Sequence, residues 1–218
     1  MAIRTLFLNG FSGQPNGSKY AALQADQPAL ELHPPLALPF PDRIPEGLLE
    51  KAKALLGLRS MLKDCQRIAQ EAVDAFRPDV IVGSSMGGAL AVQLSTGASL
   101  VLIAPATRIR WLPPGIGPFP DRPVPPETII LHSREDDLVP LEASERLMGL
   151  GRPPGAREAP VEEKLRKGGY KPIKGRLLVL GADHRCNQLH PSDAGDPLLH
   201  PHVAMVNAVR YLGELMQN

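Results

Sequence analysis

The sequence predicts an α/β fold, a mostly parallel sheet of about six strands with helices on both faces. Three observations predict it. Short apolar runs (Ile3 to Leu8, Val80 to Val82, Leu100 to Ala104, Thr128 to His132, Arg176 to Leu180) recur along the chain. They are apolar nearly throughout rather than alternating, as strands covered on both faces must be. Segments of helical spacing separate them: Leu62, Cys65, Ile68, Ala69, Ala72, Val73 and Phe76 fall on one face of a helix over Ser60 to Phe76. Finally, the residues able to do chemistry follow strand ends. Right-handed crossovers bring all those ends to one edge of a parallel sheet, where ligands bind in open α/β folds.

Composition sets the limits. The 218 residues suit a single domain, 1–218, and 43% of them are hydrophobic, an ordinary globular share. The formal net charge of +1 gives no global field for nucleic acid or an anionic surface. The 24 prolines cluster at 33–45, 113–126 and 153–160 and mark connecting loops. Cys65 and Cys186 are far apart, so free thiols in a reducing compartment are expected. The N-terminus runs straight into a strand without the pattern of a signal peptide, and no apolar run reaches membrane-span length. A soluble, cytoplasmic protein is the expectation.

In order, Ile3 to Leu8 is the first strand and ends in Asn9-Gly10-Phe11-Ser12-Gly13, a loop of small residues. Lys19 to Ala25 reads as a helix capped by Asn16 or Ser18, and Ala29 to Leu32 as a short strand. His33 to Pro45 is extended, because proline forbids a ladder or helix there. Two helices follow, Leu48 to Leu58 and Ser60 to Phe76. Val80 to Val82 is the central strand, and a helix-like segment, Ala89 to Ser95, comes soon after. Leu100 to Ala104 leads into a proline-rich excursion, Thr107 to Pro126, which carries the only tryptophan, Trp111. After the strand Thr128 to His132 comes a helix, Leu141 to Leu150. The insertion Gly151 to Gly175 mixes prolines and charges; a lid, a dimer contact and a mobile loop all remain open, and its charges favour exposure. Arg176 to Leu180 is the last strand and Pro201 to Met216 the closing helix, with Val203, Val206, Val209, Leu212 and Leu215 at near-helical spacing.

The central strand runs into Gly83-Ser84-Ser85-Met86-Gly87-Gly88. A Gly-x-Ser-x-Gly between strand and helix is the nucleophile turn of α/β-hydrolases. A serine on a strained turn projects its hydroxyl away from its own backbone. The positions two before and two after must lack a side chain, which would collide with strand or helix. Gly83 and Gly87 satisfy this for Ser85, not Ser84. The bland alternative, small residues that let a helix lie close to a sheet, needs neither the buried strand before the motif nor ordered partners after it.

A serine hydroxyl needs a base, and the base an acid to fix its tautomer. In this fold the order is Ser, acid, His. The chain offers Asp136 or Asp137 after one strand and His184, in Gly181-Ala182-Asp183-His184, after the last. His132 precedes the acid and so breaks the order; His190, His200 and His202 lie in a proline-rich loop or a helix's first turn. His200 and His202 with Asp193 and Asp196 form no metal-spacing motif, and no metal or cofactor is expected. Two amides should receive the oxyanion, those of Met86 and, from the first loop, Phe11.

These stretches, with Ile103-Ala104-Pro105-Ala106, resemble the small bacterial α/β-hydrolases of the YqiA-like esterase group, in order and over most of the chain. The resemblance implies a minimal hydrolase sheet with little or no cap, and cleavage of acyl esters or thioesters. It places the nucleophile on Ser85, the acid on Asp136, the base on His184 and the oxyanion amides on Phe11 and Met86. One departure is Asn9, where the group usually has histidine; backbone donation survives, but the loop's internal hydrogen bonds must differ. The expected activity is a serine esterase or thioesterase acting on a small acyl substrate. An acyltransferase or peptidase on the same triad, or a binding module with a vestigial triad, are the competing expectations.

Overall fold

The computed structural model describes residues 1–11, 13–40, 48–110, 112, 117–120, 122–125, 127–133, 136–148, 176–180 and 200–217, with backbone alone for 48–56, 176–180 and 216–217. The strands are β1 (Ile3–Leu8), β2 (Leu30–Leu32), β3 (Val80–Ser84), β4 (Ser99–Ile103), β5 (Thr128–Ser133) and β6 (Arg176–Leu180). The helices are α1 (Ser18–Gln24), α2 (Leu48–Phe76), α3 (Met86–Ala91), α4 (Leu141–Leu147) and α5 (Pro201–Gln217). They form one six-stranded sheet in the order β2-β1-β3-β4-β5-β6. Every pairing in it is parallel.

Strand side chains alternate between two cores, as the period of two in an extended chain requires. Leu6, Leu8, Ile81, Leu100, Leu102 and Ile130 join residues of α2, α3 and α4 on one face. Phe7, Val80, Val82, Val101, Ile103, Ile129 and Leu131 join α1 and α5 on the other. Both faces are covered, which is why the strands read as unbroken apolar runs. Each buried Leu or Ile contributes about 1.5–3 kcal/mol of transfer free energy.

Several expectations change. The two helices foreseen over 48–76 are one, α2. Nothing between Leu58 and Ser60 breaks a helix, and Gly57 sits where an added Cβ would meet open space. Neither Asn16 nor Ser18 caps α1; its cap is Gly17, with no side-chain hydrogen bond. The helix foreseen over Ala89 to Ser95 starts earlier, at Met86, and ends at Ala91. In α5 the foreseen stripe is wrong at both ends: Val203 is 39% and Leu215 43% exposed. Their spacing of three falls short of 3.6 residues per turn, so the stripe winds around the helix. The buried face is Ala204, Met205, Ala208, Val209 and Leu212. Trp111 and the insertion 151–175 lie outside the described residues. No helix among the described residues is long and apolar enough to cross a membrane.

The strand order fixes where a site can form. From β1 the chain moves outward to β2, then returns to β3 on the other side of β1 and proceeds to β6. The loops leaving β1 and β3 therefore diverge to opposite faces: α1 packs on one core and α3 on the other. In open α/β sheets ligands bind at the carboxyl ends of strands where such a divergence occurs.

Candidate active site

Ser85 occupies the residue between β3 and α3, with φ 52° and ψ −117°. That is left-handed backbone for a residue with a Cβ, at a cost of about 1–3 kcal/mol. The surroundings hold it there. Ser85 N donates to Ile103 O at 2.7 Å, and Ser85 O accepts from Ala106 N at 3.0 Å and Ala89 N at 3.1 Å. The turn is thus clamped by the end of β4 and the chain just beyond it. A Cβ on Gly83 would lie 2.7 Å from Gly87 O and from Gly88 Cα. A Cβ on Gly87 would overlap Leu8 O and Asn9 O. The two glycines are therefore spatial necessities: one admits α3 against β3, the other admits α3 against the end of β1.

The loop after β1 lies alongside Ser85. A Cβ on Gly10 would stand 2.7 Å from Ser85 Cβ and 3.2 Å from Met86 N. Gly10 thus keeps clear the space beside the serine and the amide that follows it. Asn9, only 5% exposed, donates from Nδ2 to Gly13 O at 2.7 Å and to Gly10 O at 3.2 Å. Gly13 N closes the same loop onto Gly10 O at 3.2 Å. Asn9 thus ties the loop to itself through two carbonyls. Phe11 is partly buried and meets Phe40 edge-on, ring centroids 5.4 Å apart, so the proline-dense segment folds an aromatic ring back against this loop.

Asp136 lies beyond the end of β5 and is 3% exposed. Its Oδ1 accepts from Leu138 N at 2.9 Å and Val139 N at 2.7 Å. Arg110 ties the same loop from outside: its Nη2 donates to Asp136 O at 3.3 Å and its backbone N to Leu138 O at 2.9 Å. Asp137, the other candidate acid, is exposed. His132, a rival base in the sequence, is fully buried on β5, and its Nε2 lies 3.5 Å from Asp136 Oδ2. His184, Glu135 and His190 lie outside the described residues.

Among the described residues no group of three or more His, Cys, Asp or Glu could hold a metal ion. His200 and His202 stack edge-on, and His200 Nδ1 accepts from His202 N at 3.3 Å at the start of α5. Burial, then Lys19 and His200, push the His202 imidazole towards its neutral form. Cys65 is fully buried in the core under α2; burial, with Asp64 adding, pushes its thiol up to about 12, so it stays an inert thiol. Cys186 lies outside the described residues.

Two features of this site had no role assigned in the sequence. Gly10 was one small residue among several in a loop. The Ala104-Pro105-Ala106 stretch carried only the resemblance, yet it braces the Ser85 turn: Ala104 has φ 43°, Ala106 N donates to Ser85 O, and Pro105 lies against Gly88. A proline and two alanines directly after a buried strand were the available signal.

No protein-family model and no curated protein matches the chain. Solved structures do. One from Xanthomonas campestris pv. campestris, assigned to the α/β hydrolase superfamily, is 23% identical with a TM-score of 0.52, covering 100% of this chain and 99% of that one. A monoacylglycerol lipase from Paleococcus ferrophilus is 12% identical with a TM-score of 0.56, covering 96% and 94%. A lidless α/β serine hydrolase from Xanthomonas campestris is 10% identical with a TM-score of 0.53, covering 99% and 84%. The chain has the α/β-hydrolase fold.

Proposed function

We propose that the protein is a serine hydrolase of the esterase or thioesterase type, close in kind to the YqiA-like group. Ser85 Oγ attacks an acyl carbonyl while His184 accepts its proton. The amides of Phe11 and Met86 receive the oxyanion, and Asp136 holds the imidazole in its productive tautomer. The protonated imidazole then gives its proton to the departing alcohol or thiol. Water, deprotonated by the same imidazole, hydrolyses the acyl-serine and restores the hydroxyl.

The observation that carries this reading is the backbone of Ser85, a non-glycine residue at φ 52° between glycines that no Cβ could replace without displacing backbone. Strain of that kind persists where a hydroxyl has to be presented. The monoacylglycerol lipase neighbour, by its name, supports the acyl-ester class. The partly buried Phe11–Phe40 pair beside the first loop favours an apolar acyl group. The proposed chemistry calls for no cofactor, and its substrate is a small acyl ester or thioester.

The test is a panel of p-nitrophenyl esters of graded acyl length, run beside labelling by a fluorophosphonate. Ser85→Ala is expected to abolish labelling and lower turnover by about 10⁴-fold or more, with the melting temperature nearly unchanged. Turnover is expected to rise with deprotonation of an imidazole. Full turnover in the alanine variant would refute the assignment.

A further inference from the structure

We infer that His132 is a positioning residue for Asp136, fixing the second oxygen of the carboxylate that the proposed triad uses. This rests on Asp136 being the acid of that triad.

His132 sits in β5 with no exposure, and Ser144 in α4 is equally buried. A buried imidazole needs partners for both nitrogens. Nδ1 is 2.6 Å from Ser144 Oγ, and Nε2 is 3.1 Å from Val139 O. A carbonyl oxygen only accepts, so Nε2 carries the proton. In the neutral ring Nδ1 then accepts from the Ser144 hydroxyl; the partners assign this tautomer. The Nε2–H therefore points into the acid loop, where Asp136 Oδ2 is 3.5 Å away.

The arrangement divides the work on one carboxylate. Oδ1 is held by the amides of Leu138 and Val139, which fix its distance from the loop backbone. Bonds to one oxygen do not by themselves fix the plane of a carboxylate. The Nε2–H on the Oδ2 side restrains that plane, and Ser144 anchors the imidazole to α4. In that tautomer the ring offers the carboxylate a donor without giving up a proton to it. An acid can steady a catalytic imidazolium only while it keeps its charge. Among the described residues, the charged groups beside this imidazole include Asp136 itself, with the Arg110 guanidinium reaching the Asp136 carbonyl. With both ring nitrogens engaged, His132 is not the base.

Three variants test this: His132→Gln, which keeps an N–H near the place of Nε2, His132→Leu, which removes it at similar volume, and Ser144→Ala, which frees the ring. Asp136→Asn is the reference. The readouts are kcat, KM and the pH profile of kcat/KM on p-nitrophenyl butyrate, with the melting temperature alongside. His132→Leu is expected to lower kcat by about 10- to 100-fold with KM within about twofold. It should also move the acid limb of the profile to lower pH, since a misaligned carboxylate stabilises the imidazolium less. His132→Gln should recover most of kcat, and Ser144→Ala should show the same changes in smaller degree.

Wild-type kcat and an unmoved acid limb in His132→Leu, whatever its melting temperature, would overturn the inference. So would equal impairment of the Leu and Gln variants. If the Leu variant does not fold, an unmoved limb in Ser144→Ala overturns it instead. Wild-type turnover in Asp136→Asn would sink the parent assignment of the acid, an outcome distinct from failure of His132 alone.

Discussion

The two ends of β3 carry nearly the same backbone angle for different purposes. Before the strand, Arg77 has φ 50°; after it, Ser85 has φ 52°. Arg77 is an exposed residue that ends α2, donating its N–H to Val73 O at 2.8 Å. Its left-handed angle is the ordinary way to finish a helix, a place glycine usually fills. Next to it, Asp79 pairs with Arg4 of β1 through Arg4 Nη2 at 3.0 Å and Arg4 N at 2.8 Å. Asp79 N returns a bond to Arg4 O at 2.8 Å. At the far end the same angle is enclosed between two glycines, the β1 loop and the β4 exit. Strain at Arg77 could be relieved without loss. Strain at Ser85 could be relieved only by giving up the side chain it displays.

The comparison breaks first at its most crowded point. Gly87→Ala forces a methyl into Leu8 O and Asn9 O. It is expected to cost about 3 kcal/mol or more and to remove activity in whatever fraction folds. Denaturant unfolding checks the first and probe labelling the second.

Asp79→Asn is milder, about 1 kcal/mol, because both partners of the pair are partly solvated. Burial pushes the Asp79 carboxyl up, but the Arg4 hydrogen bonds and charge outweigh it, and the result lies below the usual 3.8. A depressed carboxylate contributes stability that is present above its unfolded value and lost as pH falls through the folded one. The gap in stability between wild type and Asp79→Asn should therefore be full near neutral pH and close progressively below pH 3.8.

Arg77→Gly is expected to have the smallest effect and the opposite sign. Relief of the left-handed angle should raise stability by about 0.5 kcal/mol, net of the entropy glycine adds to the unfolded chain. Turnover should not change, which would sharpen the contrast with Ser85.

Much of this was legible in the residues. The strands stood out because burial on both faces leaves little room for polar residues, and Gly83-Ser84-Ser85-Met86-Gly87 stood out because its constraints are steric and local. What failed was non-local. The register of α5 depends on which side of it Ile3 and Phe7 present, and a run of valines every third residue carries no trace of that. The joining of two helices into α2 turned on the absence of a breaker, a weak signal beside Gly57. Order along the chain set His132 aside as the base, but order records neither burial nor the fold of a loop back over its own strand, so its place beside Asp136 was not legible. The loop holding His184, the proposed base, lies outside the described residues.

The sheet margin at β2 has a consequence for how copies of this molecule meet. Among the described residues β2 pairs with β1 alone, over three residues, and two prolines, Pro34 and Pro35, follow His33 directly. A foreign strand seeking to extend the ladder there would find little backbone, and then two pyrrolidine rings with no hydrogen to offer. That border is closed to growth, so crowded copies have no invitation to zip together along it.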